Sequence, residues 1–217
     1  LSVMGDTRFD SVIERREQLD PPQWPEGFGQ GTLFVAGSTW PRDEECIYPV
    51  LRKALEQSPE LQLVLVPHEP TEEHLLHAET FFQGIPMVRW KNRDQAPSGL
   101  RILLIDTIGL LAGLYRGADI AYVGAGFTTG VHNTMEPASM GLPVFFGPRY
   151  DNALEAKEMI ELGCAFSIDS TENFESRFLP LLQNPELTQQ LGKQAQQFIE
   201  SQAHASELCL PAILGNL

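Results

Sequence analysis

A chain of 217 residues with 42% apolar and 20% charged residues can bury a substantial core, so it is neither a disordered acidic chain nor a fibre. Its 15 basic and 29 acidic side chains give a formal net charge of -14, which argues against a duplex nucleic-acid binder and against long-range attraction to an anionic membrane. An anionic small ligand remains compatible, because backbone N–H groups and one or two cations can hold it locally.

No apolar run approaches the ~18 residues needed to span a bilayer. Leu1–Asp6 lacks the basic and apolar regions of a signal peptide, and the missing initial Met is expected of a processed chain or a piece of a longer one. Leu1–Leu19 reads either as a strand-turn-helix of the domain or as a hinge to something else, and Asp20–Gly31 (DPPQWPEGFGQG) as a Pro/Gly-rich connector. Apolar, β-rich runs then follow at Thr32–Ala36, Leu61–Val66, Met87–Trp90, Arg101–Ile105, Ile120–Val123, Pro143–Phe146 and Cys164–Ile168. Most are nearly continuous in apolar residues, as in strands covered on both faces. Helices are expected over about 41–57, 71–83, 108–117, 133–141 and 152–162, with a polar surface loop at Lys91–Leu100. This alternation predicts an α/β fold with a doubly wound parallel sheet. Residues 170–217 read as two or three helices broken at Asn184-Pro185; residues 151–217 carry ten acids against three bases, which fits solvated helix faces. The expected organisation is one domain over 1–217, with an opening interdomain segment (1–19), a sheet core (32–169) and C-terminal helices (170–217). Cys46, Cys164 and Cys209 lie far apart, with no C-x-x-C and no metal-ligand spacing, which suits core thiols in a reduced, cytosolic setting.

Ligands of open α/β sheets bind outside the carboxyl ends of the strands, so the segment after each strand is informative. After the first comes Gly37-Ser38-Thr39-Trp40-Pro41, where Ser38 or Thr39 can cap the helix that Pro41 opens, or meet a phosphate. The second ends in Pro67-His68-Glu69-Pro70, which directs His68 and Glu69 outward. Arg101–Ile105 runs into Asp106-Thr107-Ile108-Gly109; Asp106 and Thr107 can cap a helix, and Gly109 lets a flat ring approach the backbone. Gly124-Ala125-Gly126 is followed by three residues before Gly130, so it is not a G-x-G-x-x-G dinucleotide fingerprint. His132 and Asn133 lead into a helix whose first turn holds Glu136. The helix dipole alone can account for that carboxylate, but its place near the sheet's carboxyl edge also suits it to accept two hydrogen bonds from a ribose diol.

The string from Gly130 to Asn152, G-x-H-N-x-x-E-P-A-x-x-G-x-P-V-x-x-G-P-x-x-x-N, resembles the 3-deoxy-D-manno-octulosonic acid (Kdo) transferases of lipid A assembly. Its E-P-A-x-x-G-x-P portion alone is similar to many glycosyltransferases of the GT-B fold. Gly5–Asp10 (GDTRFD), Ala36–Thr39 and Asp106–Gly109 agree in order, and the resemblance covers about residues 1–165. It implies the C-terminal, Rossmann-like, donor-nucleotide half of a two-domain, metal-free enzyme that moves Kdo from CMP-Kdo onto a lipid A precursor, with no other cofactor. The resemblance places the general base, acceptor surface and membrane contact in an N-terminal half, and the parent on the cytoplasmic face of the inner membrane. The isolated piece is then expected to be soluble and inactive. Arg8 matches a cation that stabilises the transition state. Pro67 and His68, then Ile108, Gly109 and Leu110, then Asn133, Thr134, Met135 and Glu136 match three CMP-binding segments, with Glu136 on the ribose; Ser38 and Thr39 are further candidates for the phosphate. The chain departs from the usual P-R-H-P at Pro67–Pro70, losing one fixed cation, and carries Leu110 where D-T-M-G-E has Glu. The alternatives are the nucleotide half of another GT-B enzyme, a UDP-sugar transferase or epimerase, and a non-enzymatic α/β binding module.

Overall fold

The computed structural model describes residues 5–203. The expectations about Cys209 and about the apolar positions of Leu208–Leu217 lie outside the described residues. Seven strands form one sheet: β1 (Thr32–Thr39), β2 (Leu61–Pro67), β3 (Met87–Arg89), β4 (Ile102–Leu104), β5 (Ile120–Val123), β6 (Val144–Phe146) and β7 (Ala165–Ser167). Their order is β3-β4-β2-β1-β5-β6-β7 and every neighbouring pair is parallel. From β1 the chain lays β2 beside it, crosses to β3 at the sheet edge and inserts β4 between them, then crosses back to lay β5 against β1 on the other side. β1 and β5 therefore flank the topological switch point, where the crevice of such a sheet opens.

Each strand lies where an apolar run predicts it, because both faces are covered. Phe34 and Ala36 of β1 point to α2 (Pro41–Gln57), α3 (Glu72–Phe81) and α7 (Thr171–Gln183), where Ile47, Leu51, Phe174 and Phe178 are buried. Leu33 and Val35 point to the opposite layer, with Leu114 and Tyr115 of α4 (Leu111–Tyr115). A third cluster joins α1 (Thr7–Gln18), α5 (Met135–Ser139), α6 (Leu154–Leu162) and α8 (Pro185–Ser201) around Phe9, Met135, Met159 and Phe198. Within the opening segment, Thr7–Gln18 is thus a helix packed on this core through Phe9 and Val12. Asp6 caps it, and Asn184 caps α8 with Pro185 in the first turn.

Two helices are shorter than expected. The one predicted over 108–117 covers Leu111–Tyr115, and the one over 133–141 covers Met135–Ser139. In both, the preceding residues stay in the loop at the carboxyl edge. The expected surface loop at Lys91–Leu100 begins inside a 3-10 turn, Trp90–Gln95, with Arg93 stacked 4.3 Å over the Trp90 ring. Cys46 and Cys164 are buried free thiols. No helix among the described residues is long and apolar enough to cross a membrane.

α8 closes on the loop after α5 at a backbone contact. A Cβ on Gly192 would lie 1.9 Å from the Gly141 carbonyl oxygen. Gly192→Ala is therefore expected to destabilise the domain by roughly 2 kcal/mol, although Ala favours a helix by about 1 kcal/mol. Urea unfolding checks this, with the exposed Gln190→Ala as a control that shifts stability by less than about 0.5 kcal/mol.

Candidate functional site

The site grows from the end of β1. Gly37 pairs with Val66 of β2, but the next pair is Thr39 with Pro67, so Ser38 is an extra residue in the register. Its φ of 53° places a non-glycine residue in the left-handed region. A bulge of this kind re-aims the chain beside a site. Across the switch point, Gly124 follows β5 so closely that a Cβ there would meet the Ser38 carbonyl oxygen at 2.0 Å.

Asp43 locks this junction. Its fully buried carboxylate accepts hydrogen bonds from Trp40 N (2.9 Å), the Tyr122 hydroxyl (2.7 Å) and Ala125 N (2.9 Å). Burial pushes its pKa up, and those three donors oppose the rise. The donors come from the β1–α2 turn, from β5 and from the loop after β5. This arrangement corrects the capping expected of Ser38 and Thr39. Trp40 occupies the cap position of α2, and the carboxylate of Asp43, the third residue of the helix, satisfies its N–H. The Thr39 hydroxyl is buried and donates to Glu44 at 2.9 Å, so it faces away from any ligand. Ser38 is half-buried and stays at the crevice.

Three rings stack above this junction. Trp40 lies 4.6 Å from His68 at 24°, and His68 lies 4.7 Å from His132 at 10°. The Trp40 Nε1 stands 3.5 Å from His132 Nε2. Pro67 is buried at the end of β2, while His68 is exposed and its N–H donates to the Thr39 carbonyl at 2.9 Å. Burial lowers the His132 pKa, the neighbouring His68 lowers it further, and Asp43 acts against both.

Beside the rings, α1 and the loop into α5 enclose a cavity of about 440 Å³, with Arg8, Arg15, His132, Asn133, Asn152 and Glu155 in its walls. Arg8 donates to Asp6 at 2.8 Å and approaches the buried Glu155 at 3.4 Å; its hydrogen bond lowers the Asp6 pKa. Glu155 also accepts from the buried Thr134 hydroxyl at 3.3 Å. Asn133 is exposed and its Oδ1 takes the Met135 N–H at 3.0 Å, while the Met135 side chain joins the core. Glu136 stands in the first turn of α5 and pairs with Arg15 at 2.9 Å. The loop after β4 sits farther along the same edge. There Ile108 is 81% exposed, Gly109 has φ 88° and Leu110 packs on the core. Asp106 and Thr107 do not cap α4, whose cap position is Leu110; Asp106 instead accepts the Lys91 N–H at 3.1 Å.

Most of the residues expected from the sequence therefore share one edge. Ser38, His68, Asn133, Thr134 and Glu136 surround β1 and β5, and Arg8 joins them from α1. Sequence reasoning missed Trp40, Asp43, Arg15 and Glu155. The only local signal among them was Asp43, three residues after the cap position, where an acid is ordinary. Among the described residues, no group of three His, Cys, Asp or Glu side chains could hold a metal ion.

No family model matches the chain. A 3-deoxy-D-manno-octulosonic acid transferase of Chlamydophila psittaci is 31% identical over 193 residues, which is 86% of this chain. One from Haemophilus influenzae is 26% identical over 199 residues, or 88% of this chain. This chain is a homologue of the Kdo transferases. It spans 43% and 46% of the length of those two relatives. Its fold is similar to the C-terminal CMP-Kdo binding domain of WaaA from Acinetobacter baumannii, with a TM-score of 0.69 at 24% identity, covering 88% of this chain and 98% of that one. The seven-stranded sheet of this Kdo-transferase homologue is thus a Rossmann-like half of the GT-B fold.

The Asp43 junction generates a prediction. Asp43→Ala leaves the Ala125 N–H and Tyr122 hydroxyl buried without an acceptor, at about 1–3 kcal/mol for each. Chemical denaturation should show a loss of roughly 3 kcal/mol or more. A variant as stable as the parent chain would contradict the role assigned to the carboxylate.

Proposed function

We propose that this chain binds CMP-Kdo and forms the donor half of a Kdo transferase that adds Kdo to a lipid A precursor in lipopolysaccharide assembly. The observation that carries this reading is the arrangement of Ser38, His68, Asn133 and Glu136 on one carboxyl edge, in a homologue of Kdo transferases. In the proposed complex the nucleotide lies across the ends of β1, β2 and β5. Glu136 accepts the ribose hydroxyls, with Arg15 holding one carboxylate oxygen and leaving the other free. Ser38 and His68 flank the phosphate, and the Asn133–Met135 backbone shapes the ribose side. Pro67 fixes the direction of His68. The exposed turn at Ile108–Leu110 offers its backbone to the cytosine, and the open surface around Gly109 suits a flat ring.

Transfer breaks the bond between Kdo and the CMP phosphate, so negative charge grows on the departing phosphate. Arg8, exposed on the cavity wall, is placed to stabilise that charge. The acceptor hydroxyl needs a base to remove its proton. We assign that base, the lipid acceptor surface and the contact with the cytoplasmic face of the inner membrane to the rest of the parent enzyme. The isolated chain is then a binder without turnover.

Calorimetric titration with CMP, UDP and GMP tests the reading. CMP should bind tightest, and Glu136→Ala should weaken it by about tenfold or more, as expected for loss of a charged acceptor. Preference for UDP, or no nucleotide binding, would overturn the assignment. In the full-length parent, Arg8→Ala should slow single-turnover Kdo transfer by roughly a hundredfold while CMP affinity changes little.

A further inference from the structure

The ring stack contains a residue that none of the family motifs assigns. Trp40 belongs to the β1–α2 turn, His68 to the β2–α3 turn and His132 to the loop after β5. These three turns surround the switch point, and the His68 ring packs on both of the others, at centroid spacings of 4.6 and 4.7 Å, while Trp40 and His132 meet at their edges. Trp40 reaches both imidazoles. Its π face lies on His68, and its indole N–H points at His132 Nε2 across 3.5 Å. Its own backbone is fixed by Asp43 at 2.9 Å.

We propose that Trp40 is a positioning residue that sets His68 and His132 as a paired imidazole platform for the phosphate side of the bound nucleotide. This rests on the nucleotide reading above. The indole N–H can donate only, so it selects the His132 form with an open Nε2 and leaves Nδ1 to carry the proton. The stack holds the His68 ring face-on to Trp40 and so fixes its orientation at the crevice. The groups facing His132 are Trp40, His68 and Asp43 on the sheet side, with Arg8, Arg15 and Glu155 across the cavity.

Histidine ring NMR and CMP titration of the chain, with Trp40→Leu and Trp40→Phe, test the proposal. In the unsubstituted chain, CMP should shift the ring resonances of His68 and His132 together. Trp40→Leu should weaken CMP by roughly three- to tenfold, the scale of one aromatic pair. It should also raise the His132 titration midpoint, because the indole N–H that favours the neutral ring is lost. Trp40→Phe restores a stacking face without an N–H. It should recover most of the affinity and still leave the His132 midpoint raised. If Trp40→Leu does not fold, the Trp40→Phe midpoint decides the matter. An unmoved His132 titration, with or without weaker binding, would reduce Trp40 to packing and overturn the proposal. CMP binding that persists in such a result would leave the nucleotide reading standing, whereas a chain that binds no CMP would overturn both.

Discussion

The carboxylate of Asp43 holds the carboxyl edge of the sheet together. Three segments that the chain brings from far apart must meet at the switch point: the bulged end of β1, the end of β5 and the loop that follows it. Each brings a buried polar group needing a partner, and one carboxylate satisfies all of them. The cost of burying a charge is offset by three donors, one of them a tyrosine hydroxyl at 2.7 Å. The strained φ of Ser38 and the positive φ of Ala125 persist because this knot fixes the backbone on both sides of the crevice. Gly124 permits the close approach, and Asp43 makes it specific.

From that knot the rest of the edge follows. Trp40 is held by Asp43 and in turn aligns two histidines. His132 leads directly into α5, whose first turn presents Glu136. Helix α1 then closes the far side with two arginines seven residues apart, Arg8 toward Glu155 and Arg15 toward Glu136. These cations explain how a chain of net charge -14 can offer a place to an anion. Half of the net negative charge lies in residues 151–217, where Glu175 and Glu200 pair with Lys53 and Arg16.

The sheet was legible because its strands are covered on both faces and so read as apolar runs. The rule that ligands meet the carboxyl ends of strands then picked out Ser38, His68 and Glu136 without any tertiary contact. What sequence reasoning missed consists of long-range pairs. Arg15 and Glu136 are 121 residues apart, Trp40 and His132 are 92 apart, and Asp43 and Ala125 are 82 apart. No local pattern announces such pairs. The capping expectations failed for a related reason. A hydroxyl just before Pro41 has the composition of a cap, but the strand continues to Thr39 and turns its side chain inward to Glu44. At Asp106, backbone geometry delays the helix to Leu111, so the acid serves the neighbouring Lys91 amide instead.

In the proposed complex one carboxyl edge, pinned by Asp43, receives the nucleotide. Backbone amide shifts mapped during a CMP titration locate the bound nucleotide, and they should change most in residues 37–40, 67–69, 107–110 and 124–136. Changes centred instead on the opposite edge, around Thr32, Asp119 and Gly141, or no changes at saturating CMP, would contradict it.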